Sequence, residues 1–344
     1  MRPTLKDVAR HSGLSIATID RVVNQRPGVR QKTVERVQSA MATLGYIRDV
    51  TAADLARREV YRFVFVIHDG PNSFMQQLAV EIETLRQFSA NNRLEIDLYR
   101  VPPFDGAALA RLLNRLDPAT CSGVAVIAAD GVAVRDALVR LKALGLPVVT
   151  LVSDVPAFPR DAYVGIDNVA AGRTAGRLMG RFLGGRNGKI ALVAGSMLVR
   201  DHVERRMGFE QVIAETRGLD CLPVLESRDD SRIVQRMLRD CLSSHPDIVG
   251  IYNMGAGNRG LIETLSAVPP TERPQVIVHE LSEHSRHALS EGIVDAIIHQ
   301  DAGHEVRSAL RVLKAKIDKI PLLQGQEQIR IEIYLNENLP AAPA

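Results

Sequence analysis

The sequence predicts an all-α head of three short helices, followed by an α/β core of two doubly wound parallel-sheet subdomains. Three observations predict it. Thr4–Tyr46 carries three short amphipathic helical patterns separated by turn residues. From Phe63 onward, apolar strand-like runs alternate with helical patterns, the rhythm of a parallel sheet covered on both faces. About ten such runs in ~280 residues are too many for one doubly wound unit, so two subdomains with a cleft between them are expected. The boundaries read as a head over 1–48, a linker over 49–60 and a core over 61–344.

In the head, Thr4 with Asp7 three residues on reads as a capping box, opening a helix whose apolar face is Leu5, Val8 and Ala9. Gly13 ends it. Ser15 caps a second helix with Ile19, Val22 and Val23 inward, and Pro27-Gly28 closes that helix in a turn. The third repeats apolar residues at Val34, Val37, Met41 and Leu44 and stops at Gly45. Two helices joined by a tight glycine-containing turn and braced by a third form a helix-turn-helix, whose second helix enters the DNA major groove. Charge agrees. Residues 1–62 hold twelve Lys/Arg against six Asp/Glu, whereas the whole chain carries only +3. A basic head on a slightly acidic body suits phosphate binding.

In the core, the expected strands are Phe63–Ile67, Leu94–Tyr99, Gly123–Ala128, Pro147–Val152, Ala162–Ile166, Lys189–Ala194, Leu219–Leu225, Ile248–Tyr252, Gln275–His279 and Ala296–Ile298, with a last one over Gln328–Tyr334. Helical patterns between them include Met75–Asn91, Val134–Leu144, Ala170–Leu183 and Arg205–Arg217.

Composition narrows the class. Hydrophobic residues make up 46% and charged residues 24% of the chain, as in a soluble globular protein. No apolar run is long enough to span a membrane, and Met1-Arg2-Pro3 leads into a polar helix without a secretory signal, so a cytoplasmic location is expected. Cys121, Cys221 and Cys241 are widely spaced and read as reduced structural thiols. No catalytic spacing is evident. The histidines His279, His284, His287, His299 and His304 match no standard metal site, so neither enzyme activity nor a metal or cofactor is expected.

The head resembles the DNA-binding headpiece of the lactose-repressor family of bacterial transcription regulators. The carrying residues are Thr4-Leu5-Lys6-Asp7-Val8-Ala9, Gly13-Leu14-Ser15, Thr18-Ile19, Arg21-Val22-Val23-Asn24, Lys32-Thr33 and Leu44-Gly45-Tyr46. The resemblance implies DNA contacts from Thr4, Ser15, Ile16, Ala17, Thr18, Arg21, Asn24, Arg30, Lys32 and Thr33. Ile16 and Ala17 follow the capping serine, where the family discriminates operators, and their apolar side chains suit thymine methyls. Asp20 departs from the family's usual serine; it can accept from cytosine N4 or pair with Arg21. The segment Ile47–Arg58, with its Ala53-Asp54-Leu55-Ala56 core, resembles the family's hinge helix, with Leu55 as the side chain that wedges open a minor-groove step; an ordinary linker is the alternative. The family acts as a homodimer on a pseudo-palindromic operator in double-stranded DNA.

The core resembles the same family's effector domain, which is like ribose-type periplasmic sugar-binding proteins. The carrying segments are Tyr163–Gly172 and Gly195-Ser196 with Arg205-Arg206-Met207-Gly208-Phe209. By that resemblance the cleft residues are Asn72, Phe74, Asp154, Arg205, Asn253, Glu280 and Gln300, and the ligand is a sugar, polyol or sugar acid. Phe74 reads equally as core, Arg206 is the alternative to Arg205, and the Ser153-Asp154 alignment can slip by two. One rival motif stands beside these. Gly255-Ala256-Gly257-Asn258-Arg259-Gly260 is a GxGxxG after a strand, with Glu280 twenty residues on, the spacing of a dinucleotide site. It supports NAD(H) sensing as the alternative function and, more remotely, an NAD-dependent enzyme with a DNA-binding head.

Overall fold

The computed structural model describes residues 3–23, 27–46, 60–89, 93–323 and 325–341. The chain divides into two compact units, Met1–Glu59 and Val60–Ala344.

The first unit contains α1 (Leu5–Ser12), α2 (Ile16–Val23) and α3 (Gln31–Leu44). The Asp7 carboxylate accepts from the Thr4 backbone N–H at 2.9 Å and from its hydroxyl at 2.7 Å, which fixes the start of α1. Gly13 and Gly45 end α1 and α3 in the left-handed conformation that a side chain resists. Val8, Ala9, Ile19, Val22, Val37 and Ala40 form the buried core of this unit, with Leu5, Val34, Met41 and Leu44 packed around it. All but Ala40 were legible as inward positions from periodicity. The proposed hinge, including Leu55, lies outside the described residues, as does Asn24.

The second unit runs β1 (Tyr61–His68), α4 (Ser73–Ser89), β2 (Leu94–Val101), α5 (Gly106–Asn114), β3 (Gly123–Val126), α6 (Val132–Ala143), β4 (Val148–Leu151), β5 (Ala162–Val164), α7 (Asn168–Leu183), β6 (Gly188–Ala194), α8 (Arg200–Ala214), β7 (Leu219–Cys221), β8 (Leu225–Glu226), α9 (Ser231–Ser244), β9 (Ile248–Asn253), α10 (Asn258–Ser266), β10 (Gln275–His279), α11 (Glu283–Ser290), β11 (Ala296–His299), α12 (Ala302–Asp318) and β12 (Glu332–Tyr334). Two sheets result. The first has the order β2-β1-β3-β4-β5, all parallel. The second has the order β12-β11-β10-β9-β6-β7, with β8 also on β6 and β12 antiparallel. Central strands such as β3, β4 and β11 are buried along their whole length, as strands covered on both faces must be. Strand β2, at an edge, is only intermittently buried. The chain passes between sheets from β5 to α7, from β11 to α12, which packs back on β3, β4 and β5, and from α12 to β12.

Three elements differ from the sequence expectation by more than two residues or in number. The run Leu219–Leu225 is two short strands, β7 and β8, because Pro223 cannot donate to a ladder. Only Glu332–Tyr334 of the last run pairs, antiparallel to β11. Helix α8 starts at Arg200, so Arg205 sits in its second turn.

Helices α7 and α8 meet backbone to backbone. A Cβ on Gly172 would lie 1.9 Å from the Arg205 carbonyl oxygen, and one on Gly208 would lie 2.1 Å from that of Val169. The rings of Phe209 and Tyr252 stack nearby, with centroids 4.4 Å apart.

Candidate functional site

In each sheet the strand order reverses at one point: between β1 and β3 in the first, and between β6 and β9 in the second. The loops leaving the carboxyl ends of such strands diverge and open a crevice. A cavity of about 340 Å³ lies there, lined from the first sheet by Asn72, Phe74, Gln76 and Val152, and from the second by Asp201, Arg205, Asp229, Glu280 and Gln300 among others.

Asn72 precedes α4. Its side-chain oxygen accepts from the backbone N–H of Phe74 at 3.0 Å and of Met75 at 3.2 Å, capping the helix. Its amide donates across the cleft to Asp229 at 2.8 Å. Phe74 is buried in the core and also lines the cavity. Arg205 is only 3% exposed. Its Nε donates to Asn168 and its Nη1 to the Met254 carbonyl, both at 2.8 Å. Asn168 in turn donates to the Tyr163 hydroxyl at 3.1 Å. Arg206 is half-exposed and bonds Glu210 on its own helix, so Arg205 is the inward residue of the two. Glu280 takes a hydrogen bond from Gln300 at 2.8 Å and pairs with His299 at 3.2 Å. Burial opposes charge on His299, but the bond and charge of Glu280 prevail and raise its pKa.

Two expected residues lie elsewhere. Asp154 accepts from Thr150 and the Val155 N–H and pairs with Arg160, so its carboxylate is spent within its own loop. It lines a separate depression with Tyr163, Asn168 and the segment Glu327–Ile331. Val152 takes the cleft position instead. Asn253 is fully buried and tied to Asn258, Ala256 and Gly255, so it shapes the β9–α10 loop from behind.

That loop is the GxGxxG segment, and its glycines serve packing. A Cβ on Gly260 would lie 1.8 Å from the Ser231 carbonyl oxygen, and one on Gly255 would lie 2.7 Å from the Gly195 nitrogen. Two of the loop's N–H groups are already used: Gly255 donates to Asn253, and Ala256 donates to the Asp229 carboxylate at 3.0 Å. A fixed carboxylate occupies the place an anion would take, and the dinucleotide reading is withdrawn.

Sequence reasoning missed Asp201, His202, Asp229 and His279. Asp201 was findable, since it stands four residues before Arg205 and so shares its helix face. Asp229 follows β8, whose end was not legible. Burial opposes charge on Asp201, but His202 and then Arg205 hold its carboxyl below the usual range. His279 is fully buried, and burial with the charge of Arg205 keeps it neutral. Val152 (φ +62°) and Glu280 (φ +70°), each just past a strand end, hold left-handed conformations, uncommon for any side chain and strained for a β-branched one. Among the described residues, no three His, Cys, Asp or Glu side chains converge to hold a metal, and no helix is long and apolar enough to cross a membrane.

Behind the cavity floor lies Glu305, fully buried in α12, with neither carboxylate oxygen hydrogen-bonded. Burial, then the charge of Glu280, raises its pKa well above the usual carboxylate range, so the folded chain keeps this proton. In the unfolded chain the same group ionises near pH ~4.3. Its contribution to stability is therefore full below that pH and declines as pH rises toward the folded value. Glu305→Met should stabilise the core by about 1–3 kcal/mol at neutral pH. In denaturant melts its advantage over the parent should be larger at pH 8 than at pH 5; an equal advantage at both would refute this account.

In the head, Ser15 accepts from the Thr18 N–H at 3.2 Å and its hydroxyl meets that of Thr18 at 2.8 Å, fixing the start of α2. This leaves Ile16 48% exposed, with Ala17 and Arg21 also exposed, on the side of α2 away from Ile19 and Val22. Asp20 is half-buried. Thr4, Arg30 and Lys32 are exposed, and Thr33 is half-buried at the start of α3.

Comparison with known proteins places both units. Residues 4–49 match the family described as bacterial regulatory proteins, lacI family, and residues 63–320 match the periplasmic binding protein domain. The HTH-type transcriptional regulator DegA of Bacillus subtilis is 27% identical over 238 residues, covering 68% of this chain and 65% of DegA. The lactose operon repressor of Escherichia coli is 48% identical over 60 residues, 17% of either chain. The matched stretch thus spans less than two thirds of either relative. The solved structure of GanP, a glucose-galactose binding protein from Geobacillus stearothermophilus, superposes with a TM-score of 0.74 at 18% identity, over 83% of this chain and 100% of that one. The head, residues 4–49, belongs to the lacI family of bacterial regulatory proteins, and the core, residues 63–320, which is most of the chain, belongs to the periplasmic binding protein domain family.

Proposed function

We propose that this protein is a DNA-binding transcription regulator of the repressor class, controlled by a small polyhydroxylated metabolite held in the cleft. The observation that carries the reading is the pairing, in one chain, of a helix-turn-helix that exposes Ile16, Ala17 and Arg21 with a core cavity at two strand-order reversals. Relatives that include a lactose and a ribose operon repressor support DNA as the partner. Solved binding proteins of the same fold include one in complex with D-arabinose, which supports a sugar or polyol as ligand.

Two heads of a homodimer read the half-sites of a pseudo-palindrome, with Arg21 and the apolar pair Ile16 and Ala17 at base edges and Arg30 and Lys32 at phosphates. In the core, the ligand meets groups from both sheets, so it favours whichever arrangement brings them together. Arg205 joins the cleft to Asn168 and Tyr163, where the chain crosses from one sheet to the other. A ligand that reorients Arg205 therefore acts on a crossover, the place where small rotations move whole lobes. Regulation is the difference in DNA affinity between the two arrangements. Cytoplasmic residence follows from this role.

DNA affinity should fall steeply with salt, with a log–log slope of about −5 or steeper for the dimer. Fluorescence anisotropy on operator-length duplexes between low and physiological salt measures it. A slope near zero would remove the DNA-binding assignment.

A further inference from the structure

The cleft holds three carboxylates, Asp201, Asp229 and Glu280, all from the second sheet's side. Against them stand the buried Arg205, the buried His202, whose Nε2 lies 3.8 Å from the Asp201 carboxylate, and the exposed Arg259 at the rim, which bonds His284. Arg205 is largely committed. Two of its nitrogens serve Asn168 and Met254, and the third lies 3.9 Å from Glu280. The first sheet contributes Asn72, Phe74 and Gln76 but no charge. Asn72 already donates to Asp229.

Four side chains that line the cavity, each more than nine-tenths buried, carry a polar atom with no hydrogen-bond partner among the described residues: Oδ1 of Asp201, Oε1 of Gln300, Nη2 of Arg205 and Nδ1 of His279. Two of the four are acceptors, and His279 Nδ1 donates or accepts according to its tautomer. The cavity thus asks its occupant for donors and for positive charge. A ligand carboxylate supplies neither and adds a fourth carboxylate to an already acidic site. A hydroxyl supplies one donor, and a protonated amine supplies three together with the charge.

We propose that the cleft takes a polyhydroxylated ligand carrying a protonated amine, with Asp201 as its counter-charge. This deepens the effector reading above and rests on it. Phe74 offers its ring to the apolar C–H face of such a ligand. Arg205 Nη2 and Gln300 Oε1 take its hydroxyls, and Asp201 Oδ1 receives the ammonium in a charge-assisted hydrogen bond.

Calorimetry on the full chain tests this with matched probes: D-glucosamine, D-galactosamine and D-mannosamine, their parent hexoses, and D-gluconate and D-galactonate. At least one amine should bind about tenfold more tightly than its parent hexose, the gain of one charged hydrogen bond. The aldonates should give no binding heat. Asp201→Asn should bring the amine-to-hexose ratio to about one, and Asp201→Glu, which keeps the charge, should retain part of it. A hexose that matches its amine, an aldonate that binds, or a ratio unchanged in Asp201→Asn overturns the amine assignment and leaves the cleft a sugar site. Silence from every probe overturns the amine assignment and the sugar reading together.

Discussion

Arg205→Ala is expected to abolish the response of DNA binding to any cleft ligand and to destabilise the core by about 3–5 kcal/mol. Both effects come from one fact: the guanidinium is buried and each of its faces has work inside the fold. Removing it strands the Asn168 side-chain oxygen and the Met254 carbonyl in a site that water enters poorly, and takes a positive charge from beside Glu280. Asn168 then loses the partner that holds it on Tyr163 at the crossover. Denaturant melts of the full chain give the stability loss, and operator titrations with and without ligand give the response. Arg206→Ala is the control. Its side chain is half-exposed and pairs only with Glu210, so its cost should stay below about 1 kcal/mol. Equal effects of the two substitutions would mean that Arg205 is not the inward residue.

Gly172→Ala is expected to cost about 3 kcal/mol or more and to remove ligand response without touching the cavity. The added methyl would stand 1.9 Å from the Arg205 carbonyl oxygen, and the obstacle is backbone, which cannot swing aside. Helix α8 must move away from α7, and Arg205 moves with it. Gly180→Ala, two helical turns further along α7, makes the contrast. Its Cβ would meet nothing closer than Thr216 at 3.7 Å, and alanine is the better helix former by about 0.8–1.0 kcal/mol. That variant should be neutral or slightly stabilised. If Gly172→Ala melts like Gly180→Ala, the close crossing does not position the arginine.

Much of this was legible in the residues. The head's three helices follow from caps, turn glycines and period: Asp7 holds Thr4, Ser15 holds Thr18, and Gly13 and Gly45 stop the helices. The parallel core follows from β-branched runs at strand length between helical patterns, and all ten predicted runs hold a strand, one of them split at Pro223. Five of the seven expected cleft residues, Asn72, Phe74, Arg205, Glu280 and Gln300, converge on the cavity. They lie just past strand ends or within the first two turns of helices, where sequence order constrains position.

The rest was decided by tertiary structure, because polar side chains choose partners that are distant in the chain. Asp154 and Asp229 show the difference. Each carboxylate follows a strand of its own lobe, and neither carries a sequence mark of its fate. Asp154 is taken up by Thr150 and Arg160 within its loop, whereas Asp229 reaches Ala256 on one side and Asn72, 157 positions away, on the other. The glycines of Gly255–Gly260 make the same point. Their spacing matches a phosphate cradle, but only the fold reveals that Ser231, Gly195 and Asp229 already fill the space and the donors. Period and capping are local and are written in neighbouring residues. Which buried polar group meets which depends on how two sheets and their crossovers come together, and that is settled only when the whole core packs.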